Sequence, residues 1–186
     1  MRLFRRPWVW LARVRKRRGY GVHSPFAYNF IRGVVNEPWP YYAYERLSHL
    51  HPWLQRHILT YPMHCRRMLF RVANAMQPAS FRLVGQLPLE RRYITAAVPR
   101  AVEVNDGNAA LVMVNADSIA QAPRLASAMP PEGAMIIEGI HRNRGNRNLW
   151  RALQADNHTG ITFDLYDYGI LLFDHSRTKQ HYIVNF

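Results

Sequence analysis

Glu138 and His141 stand at the end of an apolar run, Ala134-Met135-Ile136-Ile137-Glu138, with two residues between them. A carboxylate and an imidazole can both move protons near neutral pH, so at the end of a buried strand they form a candidate acid–base pair. The competing reading is a structural histidine beside a loop. A second candidate lies upstream. Residues 81–97, FRLVGQLPLERRYITAA, have the outline of a strand, a tight turn and a helix, the arrangement that seats a nucleotide at a helix N-terminus. The turn lacks most of the glycines and the acid such a ligand needs. His49, His51, His57, His64 and Cys65 are metal-ligand types, but their spacing fits no strong zinc pattern, and no metal site is expected. His23 precedes Ser24 and is expected to help fix a helix entry rather than to react.

The charge is concentrated at one end. The first hundred residues hold 18 Lys and Arg against three acids, and the last 86 hold seven against nine. Residues 1–18, MRLFRRPWVWLARVRKRR, predict an amphipathic basic helix. Phe4, Trp8, Leu11 and Val14 form its apolar stripe, expected to pack on the domain. Arg5, Arg6, Arg13, Arg15, Lys16, Arg17 and Arg18 are its candidates for phosphate contacts with nucleic acid. Phe4, Trp8 and Trp10 would equally suit an anionic membrane interface. The aromatic stretch Trp39–Tyr44 with Trp53 suits either base stacking or an interface.

These residues need a frame. The chain has 186 residues, 48% of them hydrophobic, enough for one compact unit with a buried core. No apolar run is long enough to span a membrane, and Arg13–Arg18 interrupts any signal-peptide core, so a cytoplasmic protein is expected. One cysteine excludes an internal disulfide. Residues 24–35 read as a helix with Ser24 as N-cap and Pro25 at its first position. Residues 41–60 read as helical, Pro62 as a break, and 63–77 as another helix. The runs 81–84, 101–104, 110–114 and 134–138 predict buried parallel strands. Residues 144–155 predict a helix. ITFDLYDY, GILLFD and HYIVNF predict three closing strands, with Gly169 marking a turn between the first two. The expected organisation is a helical basic cap over 1–78 and a sheet domain over 79–186.

Several segments together resemble class I S-adenosylmethionine-dependent methyltransferases of a type common in Bacteroidetes. They are Gly21-Val22-His23-Ser24-Pro25-Phe26-Ala27-Tyr28, Tyr41-Tyr42-Ala43-Tyr44-Glu45-Arg46-Leu47, Ile136-Ile137-Glu138-Gly139-Ile140-His141, and the closing strands through Lys179-Gln180-His181-Tyr182. The resemblance implies an α/β fold: a reduced Rossmann-like methyltransferase sheet with an antiparallel C-terminal hairpin, behind a helical N-terminal cap. It also implies a cofactor at the strand ends, with Gly85 in the turn, Glu103 at the ribose, and Glu138 or His141 near the acceptor.

The chain departs from that pattern at the site itself. Leu83 stands at the acid position, Leu89 at the second glycine, and Pro88 removes an N–H from the turn. Only Asn105–Ala109 separate Glu103 from the next strand, where the family has a helix, a strand and the adenine pocket. Asn115 and Ser118 stand where the family has an acid and a histidine. The leading expectation is a methyltransferase-like binding or scaffolding module, acting with a protein partner or as a homodimer, that binds no cofactor. An active, divergent S-adenosylmethionine-dependent methyltransferase and a nucleic-acid-binding protein remain the alternatives.

Overall fold

The apolar runs become the parallel half of one sheet. The computed structural model describes residues 6–14, 21–48 and 60–186. Its parallel strands are β1 (Ser80–Val84), β2 (Val102–Glu103), β3 (Leu111–Val114) and β4 (Ala134–Glu138). Every residue of β3 and the first four of β4 are buried, which is why both read as continuous apolar runs rather than alternations. β5 (Ile161–Asp164), β6 (Tyr168–Leu172) and β7 (Gln180–Ile183) complete the order β2-β1-β3-β4-β6-β5-β7. β6 is antiparallel to both β4 and β5, and β7 lies parallel to β5. The α/β class and the antiparallel hairpin expected from the sequence are both present.

Gly169 is not the hairpin turn. The strands reverse through Leu165–Asp167, where Tyr166 takes φ 75°, and Gly169 sits inside β6 opposite Asp164 on one side and Ile137 on the other. Its work is spatial: a Cβ there would fall 2.5 Å from Cζ3 of Trp150.

Seven α-helices flank the sheet among the described residues: α1 (Arg6–Ala12), α2 (Pro25–Phe30), α3 (Tyr42–Ser48), α4 (Thr60–Met76), α5 (Pro88–Ala97), α6 (Ala122–Ala126) and α7 (Arg144–Ala155). α2 continues as a π-turn over Ile31–Val35. Phe30, Met68, Leu69 and Ile94 from α2, α4 and α5 share one core with Phe81, Met113, Ile136 and Phe163. On the opposite face Ala126, Trp150 and Leu153 pack with Val84, Val112, Val114 and Ile137. α2 and α4 thus complete the core on this face of the sheet, with Phe30 stacked on Phe163 at 4.8 Å.

Ser24 caps α2, its Oγ accepting from the Ala27 N–H at 3.3 Å. Ser24→Ala is expected to cost about 1 kcal/mol in urea unfolding. Pro62 does not break the chain; it lies in the first turn of α4, where a missing N–H costs no helical bond. The α-helix ends at Ala12, before the expected 18, and the described residues of its stripe do not pack. Trp8, Leu11 and Val14 are 75%, 55% and 44% exposed. Phe4 and residues 49–59 lie outside the described residues. At the sheet edge, residues 104–110 alone carry the chain from β2 to β3, with Val104 and Ala109 joining the core on the α7 side.

Candidate functional site

The order β2-β1-β3 puts β1 between the two strands that follow it in sequence, so a crevice is expected beyond the carboxyl ends of β1 and β3. Gly85 follows β1 with φ 102°, a conformation suited to glycine. Asn115 follows β3. Its N–H donates to the Val84 carbonyl at 3.0 Å, and its side-chain Oδ1 accepts from the Ser118 N–H at 2.9 Å. The amide so held lies on Gly85: a Cβ at Gly85 would come within 2.3 Å of Asn115 Cγ. The next turn closes the same way, for a Cβ at Gly139 would fall 2.7 Å from that of Ala116.

The amino end of α5 also faces this crevice. Leu87 precedes the helix without a side-chain cap and is buried in the core. Pro88 offers no N–H. Glu90, in the first turn and buried, pairs with Arg66 of α4 at 2.8 Å. A carboxylate there complements the positive end of the helix, which in nucleotide sites faces the ligand.

Of the predicted site residues, Glu103 is set apart from Gly85, while Glu138 reaches the turn that follows β3. Glu103 pairs in register with Phe81, four residues before Gly85, so roughly 13 Å of strand rise separates their levels. Its carboxylate meets Arg91 of α5 at 2.8 Å. Glu138 stands beside Tyr168 in the sheet. Burial pushes the Glu138 carboxyl above its usual range, opposed by a hydrogen bond from the Ala116 N–H and reinforced by Glu90 and Asp117. Burial likewise pushes the Tyr168 phenol well up. His141 turns away to Asp164, with Nε2 2.7 Å from Oδ2.

Asp164 was not among the predicted residues, yet it is the hub of this end of the sheet. Its other oxygen takes a hydrogen bond from Arg13 at 2.9 Å, and Arg13 also donates to the Asp164 carbonyl. Oδ1 accepts the Tyr166 N–H as well, at 2.8 Å. The Tyr166 ring stacks on His141 at 5.2 Å, and the Arg13 guanidinium lies 5.3 Å from its centroid. Burial would raise the Asp164 carboxyl, but the His141 hydrogen bond and the Arg13 charge outweigh it and hold the group below its usual range. The sequence signal was an acid inside an apolar strand, ITFDL, a position where a charge needs partners.

The same contact bears on the basic helix. Arg13, predicted to meet phosphate, is instead bound to Asp164. Arg6 lies within α1; Arg5, Arg15, Lys16, Arg17 and Arg18 lie outside the described residues. Among the described residues no group of three or more His, Cys, Asp or Glu is arranged to hold a metal ion, and no helix is long and apolar enough to cross a membrane.

No protein-family model matches the sequence, and no curated protein does. Solved structures do match it in fold. An O-methyltransferase from Bacillus cereus in complex with SAH superposes with a TM-score of 0.50 at 9% identity, over 75% of this chain and 95% of that one. A methyltransferase from Geobacter sulfurreducens gives 0.50 at 10% identity, over 74% and 91%. The SAH-bound methyltransferase of Podospora anserina gives 0.50 at 7% identity, over 70% and 86%. What this chain shares with them is the Rossmann-like methyltransferase fold.

Proposed function

We propose that this chain is a methyltransferase-like binding module whose cofactor crevice is filled by its own side chains. The observation that carries this reading is the Asn115 amide lying against Gly85, where a ligand would need close approach to the backbone. Three further features support it. Leu83 leaves no carboxylate at the end of β1 for an ammonium group. Pro88 and the buried, paired Glu90 occupy the amino end of α5. Glu103 is low on the sheet edge and bound to Arg91. The residues present therefore do not fit S-adenosylmethionine.

A thermal melt tests the reading. A site with a dissociation constant of 10 µM would gain about 2.7 kcal/mol from SAH at a hundredfold excess over that value, a clear rise in Tm. The expected result is an unchanged Tm at about 1 mM SAH, the hundredfold excess for such a site. A rise of several degrees would contradict it and favour a working, divergent methyltransferase.

A further inference from the structure

A cavity of about 610 Å³, whose lining includes neither Gly85 nor Asn115, lies between the 37–41 segment, α3 and α4. That volume suits a small organic ligand. Its lining combines two features: large rings left in water and a guanidinium that makes no ion pair among the described residues. Trp39 is 71% exposed and Tyr42 fully exposed, both on the rim beside Pro38 and Pro40. Proline fixes φ and limits the motion of this rim.

The floor is rigid. Tyr41 packs on Tyr44 and Phe70 with ring centroids 5.3 and 5.0 Å apart. The Tyr41 hydroxyl donates to Glu37 at 2.7 Å, and the Tyr44 hydroxyl donates to the Arg67 carbonyl at 3.2 Å. Arg71, buried, spends its guanidinium on the carbonyls of Val34 and Val35. Arg67 differs. Its guanidinium lies 5.0 Å from the Tyr44 ring centroid and makes no ion pair among the described residues. A planar fork above an aromatic floor is matched to a carboxylate.

We propose that this cavity binds an aromatic monocarboxylate, with the ring against Trp39 and Tyr42 and the carboxylate on Arg67. Glu37 and Glu45 line the same cavity; their charges oppose every anion, and a ligand with a single negative charge seated on Arg67 meets less of that repulsion than a polyphosphate or nucleic acid. The assignment is independent of the crevice at Gly85 and holds whether or not that crevice admits a cofactor. His64, also on the wall and stacked on Phe186, reports on it: partial desolvation and the charges of Arg71 and Arg67 hold its imidazole below the ordinary value. A carboxylate on Arg67 cancels part of that charge, so binding raises the His64 pKa.

The test uses the full chain and three probes: 2-naphthoate, its neutral isostere 2-naphthamide, and cyclohexanecarboxylate. Calorimetry is expected to give saturable binding of 2-naphthoate, with both other probes at least about tenfold weaker. The His64 ring signal in a pH titration by NMR is expected to move to a higher midpoint with 2-naphthoate and not with 2-naphthamide. Arg67→Gln is expected to weaken 2-naphthoate about tenfold and leave 2-naphthamide unchanged. Tyr42→Ala, at a fully exposed ring that cannot be needed for folding, is expected to weaken both naphthalenes. The proposal is overturned by equal affinity for naphthoate and naphthamide, by no saturation at millimolar 2-naphthoate, or by tighter binding of oligo-dT than of 2-naphthoate.

Discussion

Asp164→Ala is expected to destabilise the protein by about 3 kcal/mol and to release the basic helix from the strand ends. The substitution strips Arg13 and His141 of their common partner while both remain largely shielded, and breaking a shielded pair from one side costs far more than an exposed pair is worth. Urea unfolding reads the stability, and faster tryptic cleavage after Arg13 reads the release. A change below about 1 kcal/mol, the range of surface pairs, would show that the contact is incidental. The effect depends on pH in a fixed direction. Because the folded carboxyl sits below its usual range, its contribution is complete above the unfolded pKa and is lost as pH falls through the folded one. The gap between wild type and Asp164→Asn is therefore expected to be widest near neutrality and to close in acid.

Trp150→Ala is expected to cost about 3–5 kcal/mol, the range for a large aromatic removed from a packed core. The indole is 2% exposed, and its buried N–H has no hydrogen-bond partner among the described residues, so the loss expected is one of packing. The partner surface is Gly169. Gly169→Ala in the wild type drives a methyl group into the ring and is expected to cost about 1–3 kcal/mol. Combined with Trp150→Ala the same methyl group enters the space left by the indole, so the double variant is expected to be more stable than the sum of the two losses. Strict additivity would contradict the packing account.

Gly169 also shows how far the sequence could be read. A glycine between two apolar runs is a reasonable turn signal, yet the real turn uses Tyr166 at positive φ, and no residue type announces that a tyrosine will do so. The parallel strands, Ser24 and the helix over 144–155 were legible because burial and capping leave marks in adjacent residues. The Arg13–Asp164 contact was not, because its partners are 151 positions apart and only the closed fold brings them together. The exposed stripe of α1 failed for a related reason: its period is helical, but periodicity says nothing of which surface, if any, it meets. At the crevice, the departures at Leu83, Pro88 and Leu89 from the pattern the chain resembles were visible in the sequence. That Asn115 would lie on Gly85 needed the register of β1 against β3, which aligns Val84 with Val114 and so sets the two following turns side by side.

Calorimetric titration with S-adenosylmethionine and SAH tests most directly whether this side-chain contact closes the crevice. From protein shown to be folded by a cooperative melt, no saturable heat is expected up to millimolar ligand. Micromolar binding, weakened by Glu103→Ala, would contradict it: Asn115 would then have to move aside, and Glu103 would have to leave Arg91 to reach the ligand.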